Sequence, residues 1–155
     1  MPESPTAVIT PYLCVHDGVA ALAFYKAAFD AVETVRYTGD DGQIGHAEVE
    51  ILGARVMLSD EWAAGQVYSP KHYGGSSTTL HLNVPGVDAV VARAAAAGAT
   101  VVRPPSDEAY GERGATIIDP FGHRWMIAST ISQPTLDEIN AGMTGYTVTA
   151  PTSGS

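Results

Sequence analysis

His46 and Glu48 stand two residues apart in the run IGHAEVEIL, so a strand there would put both side chains on one face. An imidazole beside a carboxylate is an acid–base pair, and the two are the candidate proton-transfer residues of the chain. Arg55 follows a few residues later, where it can either pair with Glu48 structurally or help it orient a bound molecule. Cys14, the only cysteine, is followed two positions on by His16. A reactive thiol needs a nearby base or positive charge, and residues two apart in a strand rarely meet closely enough to provide one. The competing reading is a buried, inert cysteine. His81 is a third histidine able to join a site. Tyr12, Trp62 and Tyr68 offer flat apolar surface for stacking, and Met57 and Met126 offer soft thioethers.

These residues are carried by an internal repeat. Laying residues 10–60 over residues 79–129 without gaps gives 13 identities in 51 pairs, where composition alone would give roughly four. The matches include Gly42 with Gly111, Gly45 with Gly114, Gly53 with Gly122, Arg55 with Arg124 and Met57 with Met126. Glycines recurring at fixed offsets imply recurring backbone turns. Each half is predicted to hold a short strand (11–15 and 80–84), a helix (19–29 and 87–97) and three further strands. Gly98 suits a helix end, and Asp30 takes that role in the first half. Tight hairpins are expected at Leu52-Gly53 and Phe121-Gly122.

The hairpins fix the faces. With Leu52-Gly53 as the turn, Ala47, Val49, Ile51, Val56 and Leu58 face a helix, while His46, Glu48, Glu50, Arg55, Met57 and Ser59 face away. In the second half Thr116, Ile118, Trp125 and Ile127 are expected against the helix, with Ala115, Ile117, Arg124, Met126 and Ala128 opposite. Cys14 is expected in the concavity beside Thr10 and Tyr12. The connection 61–77, EWAAGQVYSPKHYGGSS, reads as an aromatic flap over a ligand or as a linker plugging the barrel edge. Residues 131–155 read as a short helix capped by Thr135 and Glu138, then a frayed tail.

Bulk composition narrows the partners. The 155 residues suit one domain, with module one at about 8–60, module two at about 78–130 and the domain spanning 1–130. A net charge of −9 with eight Lys and Arg in all argues against nucleic acid. No apolar run reaches membrane-span length, and a single cysteine suits a reduced, cytoplasmic setting. Nucleophile-elbow, phosphate-loop and dinucleotide motifs are absent.

The stretches PYLCVHD…AFYKAAFDA, IGHAEVEILGARVMLSDE, LHLNVPGVDAVVARAAAAGATV and YGERGATIIDPFGHRWMIAS resemble the vicinal oxygen chelate superfamily of glyoxalases, bleomycin-binding proteins and dioxygenases, most nearly its PhnB-like branch. The resemblance implies an α+β fold in which two tandem βαβββ modules form an incomplete mixed barrel or cup with helices outside, and a homodimer. It also implies metal-ligand positions, which fall here on Thr10, Met57, Thr79 and Met126. Neither Thr nor Met is a good ligand for hard or borderline divalent ions. The expectation is therefore a metal-independent protein without cofactor, binding a small organic molecule such as a drug or cationic metabolite through Tyr12, Cys14, His46, Glu48, Arg55, Met57, Trp62, Tyr68, His81 and Met126. The alternative is a glyoxalase-type lyase, isomerase or dioxygenase with one divalent metal displaced onto His46, Glu48 and His81.

Overall fold

The computed structural model describes residues 6–151. Strand β1 (Tyr12–Val15) leads into helix α1 (Gly18–Phe29), then β2 (Val32–Thr38), β3 (Ile44–Ile51) and β4 (Ala54–Asp60). A 3₁₀ turn and the short helix α2 (Pro70–Tyr73) connect to β5 (Thr79–Asn83), α3 (Val87–Ala96), β6 (Thr100–Asp107), β7 (Glu112–Ile118), β8 (Arg124–Thr130) and α4 (Leu136–Gly142). The two four-stranded sheets run β1-β4-β3-β2 and β5-β8-β7-β6. In each, the first strand lies parallel to the last, and the other pairings are antiparallel. The fold is α+β with two unclosed mixed sheets built from repeated βαβββ units.

Local chemistry sets the element ends. The Asp17 carboxylate accepts a hydrogen bond from Ala20 N (2.9 Å) and starts α1. Asp30 ends it in the left-handed region at φ 54°. The helix presents Leu22, Tyr25, Ala28 and Phe29 to the core, all fully or almost fully buried. Each large side chain among them contributes about 1.5–3 kcal/mol relative to exposure. One continuous apolar cluster serves both modules. Tyr25 and Phe29 of α1 lie 5.7 and 4.9 Å, centroid to centroid, from Trp125 of β8. Arg93 of α3 reaches back to Asp30 at 2.9 Å.

The first hairpin is the expected two-residue turn, with Ile51 opposite Ala54 and both Leu52 and Gly53 at positive φ. The second is not. Ile118 pairs with Arg124, leaving Asp119–His123 as a five-residue loop. Asp119 Oδ1 accepts from the Phe121 and His123 amides, which wraps the loop around the carboxylate. The longer loop changes the parity of β7, so the expected facing of that strand is reversed. Ala115 and Ile117 are buried with Trp125 and Ile127, while Thr116 and Ile118 share a face with Met126 and Arg124.

Within the segment 61–77 the Glu61 carboxylate accepts from Ser69 N (3.0 Å) and Oγ (2.6 Å). Buried Pro70 seats against the second hairpin, where a β-carbon on Gly122 would fall 2.8 Å from Pro70 Cβ. Past α4, Asn140 bonds both the amide and the carbonyl of Val148. The expected capping box of α4 is present, with Thr135 and Glu138 satisfying each other's backbone amides. Among the described residues, no helix is long and apolar enough to cross a membrane.

Candidate functional site

The outer face of the first sheet brings several reactive groups together. Register places Tyr12 of β1, Met57 of β4 and Glu48 of β3 side by side across the sheet. The Tyr12 hydroxyl stands 2.8 Å from His46 Nδ1. His46 Nε2 stands 3.1 Å from Glu48 Oε1, and Arg55 Nη1 approaches Glu48 Oε2 at 3.5 Å. A carboxylate only accepts, so Nε2 carries the hydrogen given to Glu48 and Nδ1 is left to accept from the phenol. Tyr12 and Tyr37 flank the imidazole, with centroids 5.3 and 5.7 Å away.

Beside this chain lies a cavity of about 720 Å³ whose lining includes Tyr12, Cys14, Ser59, Asp60, Glu61, Trp62 and Val67. Trp62 is 64% exposed, held at the rim by a bridge to Val67. A smaller cavity of about 410 Å³ continues from Tyr12 and Cys14 to Tyr68, Tyr73 and His123. Tyr68 stacks on His72 at 4.0 Å and 11°. Asp60 is committed to the backbone, accepting from Gly18 N and Ile44 N. Hydrogen bonds from Ser69 hold the Glu61 carboxyl below the usual carboxylate range.

Cys14 is no nucleophile here. Burial foremost, then the charges of Glu61 and Asp60, push its thiol up to about 11. Its neighbour His16 packs on Phe121 instead. The Cys14 carbonyl accepts from His123 Nε2 at 2.8 Å, linking β1 to the second hairpin.

The remaining candidates fall elsewhere. His81 sits opposite Met126 in the second sheet, with Nε2 3.8 Å from Glu112. His81, Thr10, Thr79 and Arg55 line a separate cavity of about 730 Å³. The displaced metal set His46, Glu48 and His81 is therefore not assembled. Among the described residues, no three His, Cys, Asp or Glu side chains come together as a metal-binding group. The four positions Thr10, Met57, Thr79 and Met126 supply two hydroxyls and two thioethers, a donor set that does not fit a hard divalent ion. Asp60, Glu61, Ser59 and Val67 escaped the sequence reading of the site. Ser59 alone carried a signal, the strand parity shared with Met57 and Arg55.

Comparison with known proteins agrees with this architecture. A curated relative from Mycobacterium bovis, itself uncharacterised, is 42% identical over 138 residues, covering 87% of this chain and 91% of its own. The solved structure of a gene product from Arabidopsis thaliana is 27% identical with a TM-score of 0.63, covering 80% of this chain and 99% of that one. TioX from a Micromonospora species is 26% identical with a TM-score of 0.64, covering 81% and 99%. FosX, a fosfomycin resistance protein from Listeria monocytogenes, shares the fold at 16% identity and a TM-score of 0.61, covering 88% and 99%. The family model for the Glyoxalase/Bleomycin resistance protein/Dioxygenase superfamily matches residues 7–127, and the chain belongs to that superfamily.

Proposed function

We propose that the chain binds a small, flat organic molecule on the outer face of its first sheet, without a metal ion. The observation that carries this reading is the cavity of about 720 Å³, floored by Tyr12 and Cys14 and rimmed by exposed Trp62, directly beside the Tyr12–His46–Glu48–Arg55 chain. Its size suits a drug-sized molecule, and its lining is apolar with a few convergent polar groups, as small-molecule sites usually are. The ligand stacks on Trp62 and Tyr12. The carboxylates of Glu61 and Asp60, whose negative field helps raise the Cys14 thiol, favour a cation over an anion. The PhnB-like branch of the superfamily is the expected home of such a protein, acting in the cytoplasm.

A homodimer belongs to the same proposal. Among the described residues, β1 and β2 are the open edges of the first sheet, and Val8, Ile9, Val32 and Tyr37 are exposed on or near them. Unpaired edges bearing apolar side chains are costly to leave in water.

The test is a thermal-shift and tryptophan-fluorescence titration with planar aromatic cations, neutral molecules and anions, all in the presence of chelator. Cations are expected to raise the melting temperature and quench Trp62, and Trp62→Ala is expected to abolish both responses. A response that needs a divalent ion, or one that Trp62→Ala leaves intact, would overturn the reading.

A further inference from the structure

We propose that Tyr12 is an activated phenol: the His46–Glu48 pair makes its oxygen a proton-relaying base for the molecule bound beside it. The proposal deepens the reading of this face as the ligand site. Three observations meet at one residue. The Tyr12 hydroxyl is 2.8 Å from His46 Nδ1. His46 Nε2 is 3.1 Å from Glu48, which fixes the tautomer with its lone pair toward the phenol. Tyr12 lines both cavities on this side of the sheet and is 53% exposed, and its hydrogen bond to His46 is itself open to solvent.

The arrangement has the logic of a nucleophile, a base and an orienting carboxylate, with a phenol as the first member. A ligand bearing a weakly acidic O–H, N–H or activated C–H gives its hydrogen to the Tyr12 oxygen as the phenol hydrogen passes to His46 Nδ1. Glu48 accepts from Nε2–H of the resulting imidazolium. Arg55, 3.5 Å from the other Glu48 oxygen, keeps that carboxylate turned toward the ring. The ligand leaves the step as its conjugate base, and returning the proton along the same path restores every group. No metal and no redox partner enters. The substrate class is a planar organic cation with an ionisable hydrogen near the stacked ring, so that its conjugate base carries no net negative charge beside Glu61 and Asp60.

Acetylation by N-acetylimidazole tests the phenol with no ligand present, so its outcome is independent of the binding experiment above. The Tyr12 oxygen attacks the acetyl carbon, its hydrogen passes to His46, and imidazole leaves and takes up a proton from water. Peptide mass spectrometry reads each tyrosine separately. Tyr37, Tyr73 and Tyr146 are 63%, 68% and 73% exposed, so accessibility alone would make all three react faster than Tyr12. The expected result is the reverse order, with Tyr12 ahead by about tenfold or more, toward the lower end of what a positioned base supplies. His46→Gln is expected to remove that excess, and Glu48→Gln to reduce it. Circular dichroism checks that both variants are folded, and the three reference tyrosines give an internal standard in each. Tyr12 reacting no faster than the reference tyrosines, or keeping its lead in folded His46→Gln, would overturn the proposal.

Discussion

Replacing Asp119 by asparagine is expected to loosen the joint between the two modules at a cost that can be worked from its hydrogen bonds. The carboxylate is 3% exposed and accepts four hydrogen bonds. Oδ1 takes the Phe121 and His123 amides, while Oδ2 takes the Tyr25 hydroxyl (2.7 Å) and Trp125 Nε1 (2.9 Å). Asparagine keeps the shape but turns one acceptor into a donor. With its oxygen toward the two amides, its NH₂ faces two donors. The Tyr25 hydroxyl can rotate to accept, but the Trp125 N–H cannot, and it is left unpaired. An orphaned buried donor costs about 1–3 kcal/mol, and loss of charge assistance in the remaining bonds adds about 1 kcal/mol. Neutralising a buried charge returns part of this, for a net loss of about 2–3 kcal/mol. Against a total stability of roughly 5–15 kcal/mol, that is a clear drop in the urea midpoint. Tyr25→Phe removes one hydrogen bond and is expected to cost about 1–1.5 kcal/mol. The double variant should be less destabilised than the sum, because the two substitutions share a bond. An alkaline limb follows from the same contact. Burial first, then the Asp119 charge and hydrogen bond, holds the Tyr25 phenol well above its ordinary range. A folded-state value above the unfolded one, about 10, means that this contribution is whole below that pH and is lost as pH rises beyond it. The wild type should lose stability more steeply there than Tyr25→Phe. An Asp119→Asn variant within about 0.5 kcal/mol of wild type, or strictly additive effects, would refute the account.

Two further outcomes follow from named contacts. With its thiol pushed up to about 11, Cys14 should be alkylated by iodoacetamide at pH 8 about a hundredfold more slowly than in the urea-unfolded chain, followed by mass spectrometry; equal rates would contradict its burial beside Glu61 and Asp60. Gly122→Ala places a β-carbon 2.8 Å from Pro70 at φ +89°, and should lower stability by about 1–3 kcal/mol, read from the urea midpoint.

The first module was legible in the sequence because one turn fixes it. Leu52-Gly53 sets the parity of β3 and β4, and the faces of His46, Glu48, Arg55 and Met57 follow from alternation alone. The second hairpin hid its length. Aligned without gaps, Phe121-Gly122 looks like the same turn, yet Pro120 has no N–H to give a ladder, which was the available sign that the strand ends earlier. The site itself was legible only in part. That Tyr12 meets His46 depends on β1 lying parallel against β4, a pairing between residues about 45 positions apart along the chain that no local pattern encodes. The separation of His81 from His46 is likewise a property of two sheets packed through a shared core rather than of either strand. Glu61 joins the cavity because Ser69 and Pro70 anchor the connection, and a glycine-rich string gives no hint of that anchoring.

We propose that this chain acts without a metal ion, and equilibrium metal content tests that proposal most directly. The protein should be prepared without a histidine tag, offered Ni, Zn, Fe and Mn in turn, dialysed and analysed for elements. The expected result is far less than one ion per chain with every metal. A retained ion near one per chain, lost on Glu48→Ala or His81→Ala, would contradict the account and return the site to metal-assisted chemistry.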